Sequence, residues 1–273
     1  MGVPTVYVTR EEDTLLDVAR DHDVGYIAIR AANPGVDPWL PGAGKTLKLP
    51  TQFVLPDAPR RGIVINLPEL RLYYFPAVGE PRTFPIGIGG EGKETPVGRT
   101  SIARKRMHPV WFPTESERAE DPDLPKIVPA GPDNPMGDLA IYLAWAGYAI
   151  HGTNKPYSIG RRDSHGCIRL YPQDIQQLFS LVSVGTPVTI VDQPVKLGWS
   201  GDELYLEIHA DQEDAESLEI TGAPRSTIAA DADDLVVKAA GAQEYRLDWY
   251  TIHLAEAQRN GIPVRITLPQ HAS

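Results

Sequence analysis

The chain has 273 residues, 42% of them hydrophobic and 23% charged, which is typical of a folded globular protein and long enough for two or three domains. Its formal net charge of −10 argues against a general nucleic-acid-binding protein, because such proteins present a basic face. Its single cysteine excludes an intramolecular disulfide and a zinc site built from several cysteines.

The sequence contains no run of 18 apolar residues and therefore predicts no transmembrane segment. The first ten residues, MGVPTVYVTR, lack the basic and apolar regions of a secretory signal. Two expectations stay open at this point. The protein is either cytoplasmic, or exported with its signal already removed.

Residues 6–50 predict a strand–helix–helix–strand unit. The alternating segment VYV favours a strand, and Asp13-Thr14 favours the start of a helix with leucines and a valine on one face. A second helical segment runs from Ile27 to Ala32 and ends before Pro34, and TLKLP favours the closing strand. Four elements in fewer than 50 residues must share one small core.

This N-terminal unit carries the segments DTLLDVA, AANP and GKTLKLP. In these it resembles a LysM domain, spanning residues 5–51, although Glu12 stands where a glycine is common. The resemblance implies binding to glycans that contain N-acetylglucosamine, such as peptidoglycan. An unrelated βααβ module is the alternative.

A proline-containing linker, TQFVLPDAPR, precedes a central domain over residues 61–192 that is predicted to be mainly β. Strands are predicted in GIVINLPELRLYYF, RTFPIGIGG, TSIARKRMH, YAIHG and PVTIV. One clear helix is predicted over residues 172–182, because Pro172 suits a first turn and apolar residues recur on one face. The pattern favours a β-sandwich or barrel with one helix.

Two further segments differ in composition from these elements. Residues 112–138 are rich in proline and charge, and a loop of this length is typical of a functional lid or a disordered segment. Near the C-terminus, DELYLEIHADQ and PVRITL favour strands around a helix, DWYTIHLAEAQRNG. Residues 198–273 are therefore predicted to form a small α+β segment, whose role no motif indicates.

The one cysteine, Cys167, ends the segment HGTNKPYSIGRRDSHGC, which begins at His151 and contains His165. Cysteine attack on a carbonyl needs a partner for the thiol proton and donors for the developing oxyanion. Gly166 permits a tight turn, in which backbone N–H groups near the sulfur can face a substrate oxygen. The alternatives are a buried structural cysteine and a metal site that also uses Asp163.

His151 and His165 compete for the role of base. On an extended strand, His165 and Cys167 share a face, but their side chains diverge from adjacent pleats. A hairpin-like return after His151 would instead bring it opposite Cys167 on a neighbouring strand, with Cβ atoms about 4.5–5.5 Å apart. The spacing therefore favours His151.

Within residues 61–192 lie the motifs IHGT, SIG and SHGCIRL, supported by LRLYYF, TFPIGIG, TPVG and PAGPDNPMG. They resemble the catalytic domain of L,D-transpeptidases of the YkuD (ErfK/YbiS/YcfS/YnhG) family. The resemblance implies that Cys167 is the nucleophile and His151 the base, with the Gly152 carbonyl orienting the imidazole. It also implies that the N–H groups of Gly166 and Cys167 are candidate oxyanion donors.

Other residues receive expected roles from the same resemblance. Ser164 and His165 are expected to line the site. Arg169 either holds a substrate carboxylate or braces the motif by hydrogen bonding. Tyr142 and Trp111 are either wall residues or packed aromatics. No metal ion and no cofactor is expected.

The family's reaction is acyl transfer on peptidoglycan tetrapeptide stems. The cysteine attacks the carbonyl at the L-centre of a diacid residue, usually diaminopimelate, and expels the terminal D-alanine. The resulting thioester passes to a stem amine, giving a 3–3 cross-link, to a lysine of an envelope lipoprotein, or to a D-amino acid or water. With the LysM resemblance, this implies a periplasmic protein of a Gram-negative bacterium, with peptidoglycan as partner and carbapenems as inhibitors.

Three other functional classes are weighed against this one. A cysteine L,D-carboxypeptidase or hydrolase, which trims stems or releases wall-linked protein, would use the same two residues and is the main alternative. A catalytically silent glycan-binding protein would lack the cysteine or the histidine, and both are present. In NlpC/P60-type wall peptidases the cysteine precedes the histidine, which is the reverse of the order here.

Overall fold

The computed structural model describes residues 1–222 and 232–269. The chain divides into two units, one of residues 58–192 and the other of residues 1–57 together with 193–273. The N-terminal module and the C-terminal segment, which are far apart in sequence, therefore belong to the same unit. Within the described residues, no helix has the length and apolar character needed to cross a membrane.

The N-terminal module has the predicted order of strand, helix, helix and strand, with elements β1 (Thr5–Val8), α1 (Leu15–Asp21), α2 (Tyr26–Ala32) and β2 (Thr46–Leu49). The strands β1 and β2 pair antiparallel. The Thr14 side chain accepts the N–H of Asp17 and so begins α1. The Asn33 side chain bonds to Ile29 O and to both backbone groups of Lys48, which fixes the end of α2 to β2. The βααβ order is confirmed, while the LysM assignment stays a prediction.

The central unit is mainly β, as predicted. Its elements are β3 (Gly62–Asn66), β4 (Arg71–Phe75), β5 (Arg82–Pro85), β6 (Ile88–Gly89), β7 (Gly98–Met107), α3 (Glu115–Glu120), β8 (Leu139–Leu143), β9 (Ala149–His151), β10 (Arg162–Ser164), β11 (Ile168–Arg169), α4 (Pro172–Leu181) and β12 (Pro187–Val191). Eight strands form one sheet in the order β11-β9-β8-β7-β12-β3-β4-β5, and β10 pairs parallel with β6. The predicted helix is α4.

The short helix α3 is a feature that sequence analysis missed, because it lies within the predicted loop at residues 112–138. It begins with a capping box in which the Thr114 side chain accepts the N–H of Glu117 and the Glu117 side chain accepts the N–H of Thr114. The spacing of Thr114 and Glu117 is the sequence signature of this box. The signal was therefore present in the sequence.

Helix α4 covers one face of the sheet at β7 and β8. Ile175 and Leu178 of α4 are buried, and Lys105 on β7 donates from Nζ to the carbonyl oxygens of Phe179 and Val182. A cation is favourable there because carbonyl groups without helical partners end the helix. Side chains alternate along a strand, so the neighbours of Lys105 on β7 face the opposite side of the sheet.

The C-terminal segment is α+β, as predicted, and contains two helices more than its sequence indicated. Its elements are β13 (Val195–Ser200), β14 (Glu203–Ile208), α5 (Gln212–Thr221), α6 (Ala232–Ala240), α7 (Trp249–Gln258) and β15 (Val264–Arg265). Leu204 and Leu206 of β14 share a core with Val236 of α6 and Ile252 of α7. Residues 223–231 and 270–273 of the predicted segment lie outside the described residues.

A buried charge pair joins this segment to the linker that follows the N-terminal module. Lys196 and Glu207 are paired at 2.7 Å, and both are inaccessible to solvent. Lys196 donates to Val54 O, and Glu207 accepts the N–H of Val54. Because a buried charge is costly unless it is paired and hydrogen-bonded, the network fixes Val54 to the C-terminal sheet.

Candidate active site

The strands β9 and β11 place His151 and Cys167 on neighbouring strands at one edge of the large sheet. They run parallel, with Ile168 opposite Ile150 and Arg169 opposite His151. Cys167 comes directly before β11 and is therefore a diagonal neighbour of His151. From ordinary strand spacing, their Cα atoms lie roughly 8 Å apart, with both side chains on the same face.

The predicted hairpin between these strands, which would set His151 directly opposite Cys167, is wrong. After β9 the chain leaves the sheet and adds β10 to β6, where Arg162 lies opposite Ile88. It then returns to pair β11 in the same direction as β9. Parallel strands need such a crossover, whereas a hairpin would have made them antiparallel.

His151 is buried, with 5% of its surface exposed, and its Nδ1 lies 2.6 Å from the carbonyl oxygen of Gly152. A carbonyl oxygen only accepts hydrogen bonds, so Nδ1 carries the proton and donates it. In the neutral ring, Nε2 is then the nitrogen with a free lone pair. The Gly152 carbonyl thus holds the tautomer that a general base requires.

Burial dominates the electrostatics of both groups. It lowers the pKa of His151 to about 4, against the hydrogen bond to Gly152, which favours the charged form. Burial also raises the pKa of the Cys167 thiol, although a hydrogen bond from the Ala149 backbone favours the thiolate. At neutral pH the two groups are therefore a thiol and a neutral imidazole rather than an ion pair.

The turn before Cys167 is shaped by Ser164 and Gly166. The Ser164 hydroxyl donates to the Cys167 carbonyl oxygen at 2.6 Å and accepts the N–H of Gly166 at 3.2 Å. Gly166 has a φ of +96°, and a methyl group there would meet Tyr148 at 3.0 Å. Since the N–H of Gly166 is directed at Ser164, the N–H of Cys167 stays the predicted oxyanion donor.

Thr95, from the TPVG motif, supports the same turn from behind. Its hydroxyl donates to the Gly166 carbonyl oxygen at 3.0 Å and accepts the N–H of Gly89 at 3.1 Å. Thr95 is buried, so both bonds form away from water, where an unmade hydrogen bond is costly. Thr95 ties the turn before Cys167 to β6, a contact that the sequence did not indicate.

His165 points towards α3 and not towards His151. Its Nε2 lies 2.7 Å from Lys93 Nζ and 3.0 Å from Glu120 Oε2, and its Nδ1 lies 3.7 Å from Glu117 Oε1. Lys93 also pairs with Glu120. Lys93 and His165 thus contact two carboxylates of α3, those of Glu117 and Glu120. These contacts hold the short helix beside the turn before Cys167.

Arg169, for which two roles were open, donates from Nη1 to Asp163 Oδ1 at 2.8 Å. Its position opposite His151 brings a positive charge near the imidazole, which contributes to the lowered pKa of His151. The ion pair favours the bracing role for Arg169.

A cleft of about 720 Å³ opens over these residues. It brings together most of the residues that the sequence predicts, namely Trp111, Tyr142, His151, Ser164, His165, Cys167 and Arg169. Gly152 and Gly166 act through their backbone behind this surface. Sequence analysis missed Arg104, Arg106 and Glu117, which also line the cleft. Within the described part of this unit, no group of His, Cys, Asp and Glu converges around Cys167 at metal-ligand spacing.

Comparisons with known proteins give consistent matches. Residues 60–190 match the family model of the YkuD L,D-transpeptidase catalytic domain. The chain is 49% identical to the probable L,D-transpeptidase YcfS of Escherichia coli strain K12 over 199 residues, which cover 70% of this chain and 62% of that protein. It is 47% identical to the probable L,D-transpeptidase ErfK/SrfK of Salmonella typhimurium over 218 residues, covering 77% of this chain and 70% of that protein.

A more distant relative is matched over almost its whole length. The putative L,D-transpeptidase YkuD of Bacillus subtilis is 31% identical over 187 residues, which cover 67% of this chain and 97% of that protein. Against YcfS, by contrast, the chain spans less than two thirds of the relative's length.

Proposed function

The chain belongs to the YkuD family of L,D-transpeptidase catalytic domains, and on this premise we propose that it transfers acyl groups of peptidoglycan tetrapeptide stems through a thioester on Cys167. One observation carries the proposal. Cys167 shares a cleft with a buried histidine whose Nδ1–H is held by a backbone carbonyl, so that Nε2 is available as a base.

In the first half of the reaction, His151 Nε2 takes the thiol proton as Cys167 Sγ attacks the carbonyl at the L-centre of the diacid residue. The C–S bond forms and the carbonyl π electrons move to oxygen, where the N–H of Cys167 donates to the oxyanion. The tetrahedral intermediate then collapses and the C–N bond breaks. The leaving D-alanine amine takes the proton from His151, which restores the neutral imidazole and leaves a thioester.

In the second half, an amine attacks the thioester while His151 accepts its proton, and the thiol of Cys167 leaves with that proton. We propose that this acceptor is the side-chain amine of a second stem, giving a 3–3 cross-link, or a lysine of an envelope lipoprotein. Water as acceptor would make the protein an L,D-carboxypeptidase. The helix α3, held by Lys93 and His165, would limit the entry of water to the thioester.

The proposal extends to the rest of the chain. Residues 5–51 would be a LysM module that binds glycan and raises the local concentration of stems for the catalytic domain at residues 61–192. The confirmed βααβ order supports this assignment. On this proposal, and because the similar YcfS and ErfK/SrfK proteins come from Escherichia coli and Salmonella typhimurium, we propose a location in the periplasm of a Gram-negative bacterium.

The acceptor is tested by incubating the protein with disaccharide-tetrapeptide, with and without an added amine, and by following the products by mass. Release of D-alanine with a product equal to donor plus acceptor minus D-alanine is expected. Hydrolysis alone, with amine present, would make the protein a carboxypeptidase, and retention of D-alanine throughout would contradict both. A carbapenem adduct on wild-type protein, absent from Cys167→Ala, is an independent check.

The pH dependence of this reaction follows from His151. Below its pKa of about 4 the imidazole is protonated at Nε2 and cannot take the thiol proton, whereas above it the base is free. We therefore expect kcat/KM for D-alanine release to stay level from pH 7 to about pH 5 and to fall tenfold per pH unit well below pH 4. Circular dichroism over the same range controls for unfolding, and a limb near pH 6.5 would contradict the burial argument.

A further inference from the structure

We infer that Arg104 and Arg106 on β7 form an anion subsite that binds a carboxylate of the donor peptide remote from the bond under attack. The inference rests on the proposed function and names a recognition element for it. Both side chains are exposed to solvent in the cleft that contains Cys167.

The first observation is a row of side chains that crosses the sheet from the nucleophile. Arg104 lies opposite Tyr142, and Tyr142 lies opposite Ala149. Cys167 precedes Ile168, which lies opposite Ile150, so it continues the row beyond Ala149. The nucleophile and a guanidinium thus stand at the two ends of one row on one face of the sheet.

A second, parallel row contains the base. Arg106 lies opposite Ala140, Ala140 opposite His151, and His151 opposite Arg169. Of the two alanines in these rows, Ala149 lines the cleft between Tyr142 and Cys167, and Ala140 is buried beneath it. The pairing of Lys105 with α4 on the other face fixes which side of β7 both arginines occupy.

The charge of the cleft is opposite to that of the chain. Among the described residues that line it, Arg104, Arg106 and Arg169 are basic and Glu117 is acidic. Asp163 pairs with Arg169 and offsets its charge, which leaves the two β7 arginines against Glu117. The chain as a whole, by contrast, has a net charge of −10. A basic surface on an acidic protein concentrates anions at that place. Arginine in particular binds carboxylates through two parallel hydrogen bonds.

The distance between the ends of the row selects which carboxylate can bind. Three strand spacings separate β7 from β11, about 14 Å in all. The guanidinium carbon of Arg104 lies 4.2 Å from the centre of the Tyr142 ring, so the side chain leans over β8. The charge is then on the order of 10 Å from the sulfur, or about three extended residues. The carboxylate of the leaving D-alanine is only one residue from the attacked carbonyl, so it is too close to fill this subsite.

The test uses wild-type protein, Arg104→Gln and Arg106→Gln with a set of tetrapeptide donors in which one carboxylate at a time is converted to a carboxamide. The readout is kcat/KM for D-alanine release. Arg99→Gln is the matched control, since Arg99 is an exposed arginine on the same strand outside the cleft lining. Equal unfolding temperatures establish that the variants fold alike.

Wild-type protein is expected to lose about 10- to 100-fold with one of the amidated donors, the range for a hydrogen bond to a charged group. With the unmodified donor, Arg104→Gln should have a kcat/KM lower than that of wild type by a similar factor. With that amidated donor, its kcat/KM should equal that of wild type. Arg106→Gln should behave in the same way, and Arg99→Gln should match wild type throughout. Two results would overturn the subsite. One is that the falls in kcat/KM from the arginine substitution and from amidation of the donor multiply, and the other is that the arginine variants have the kcat/KM of wild type. If wild-type protein released no D-alanine from any donor, the proposed function itself would fail.

Discussion

Replacing Cys167 with serine is expected to lower kcat for D-alanine release by about a thousandfold or more, the scale found when a nucleophile is removed from a catalytic unit. The reason lies in the base. Burial holds the pKa of His151 at about 4, which is too low for the imidazole to draw the proton from an alcohol. A thiol is far more acidic than an alcohol, and its sulfur is more nucleophilic even when it is protonated in the resting state.

The measurement compares D-alanine release by wild type, Cys167→Ser and Cys167→Ala under saturating donor. Because Cys167 is the only cysteine of the chain, a thiol reagent or a carbapenem reports on this atom alone by intact mass. Unchanged unfolding temperatures show that the turn is preserved. A serine variant within tenfold of wild type would remove the thioester from the mechanism.

The site residues were predictable because they are close in sequence, and their geometry was not. Seventeen residues, from His151 to Cys167, contain the proposed nucleophile, the proposed base and the turn serine. The direction of β11 depends instead on β10, which pairs with Ile88 and Gly89, more than seventy residues earlier. A strand pairing of that separation leaves no local signal, so the sequence favoured the shorter hairpin.

The arginines of β7 show the same limit for the cleft. The segment ARKRM contains three consecutive basic residues. In any strand, the side chain of the middle residue points to one face of the sheet and those of its two neighbours point to the other face. Which face meets the cleft is decided by α4, whose carbonyl groups accept Lys105. The capping box of α3 was readable, by contrast, because a cap is formed by residues three apart.

Replacing His151 with glutamine is expected to lower kcat for D-alanine release by about a hundred- to ten-thousandfold, the contribution of a positioned general base. Glutamine retains a donor for the Gly152 carbonyl but offers no group that takes the thiol proton at neutral pH. The residual rate should also lose the fall near pH 4, since that fall is the protonation of His151. Both effects are read from the pH profile of D-alanine release.

The matched control is His165→Gln, which changes the histidine nearest to Cys167 in sequence by the same substitution. His165 is engaged with Lys93 and Glu120, so its loss loosens the contact with α3 without removing a base. We expect less than about a tenfold fall in kcat and an unchanged limb near pH 4. Equal falls in kcat for the two variants would contradict a specific role for His151 as the base. A larger fall for His165→Gln would identify His165 as the base instead. We expect a large fall in kcat only for His151→Gln. The parallel pairing of β9 and β11 is the reason, because it places the buried His151 ring diagonally across from the Cys167 sulfur.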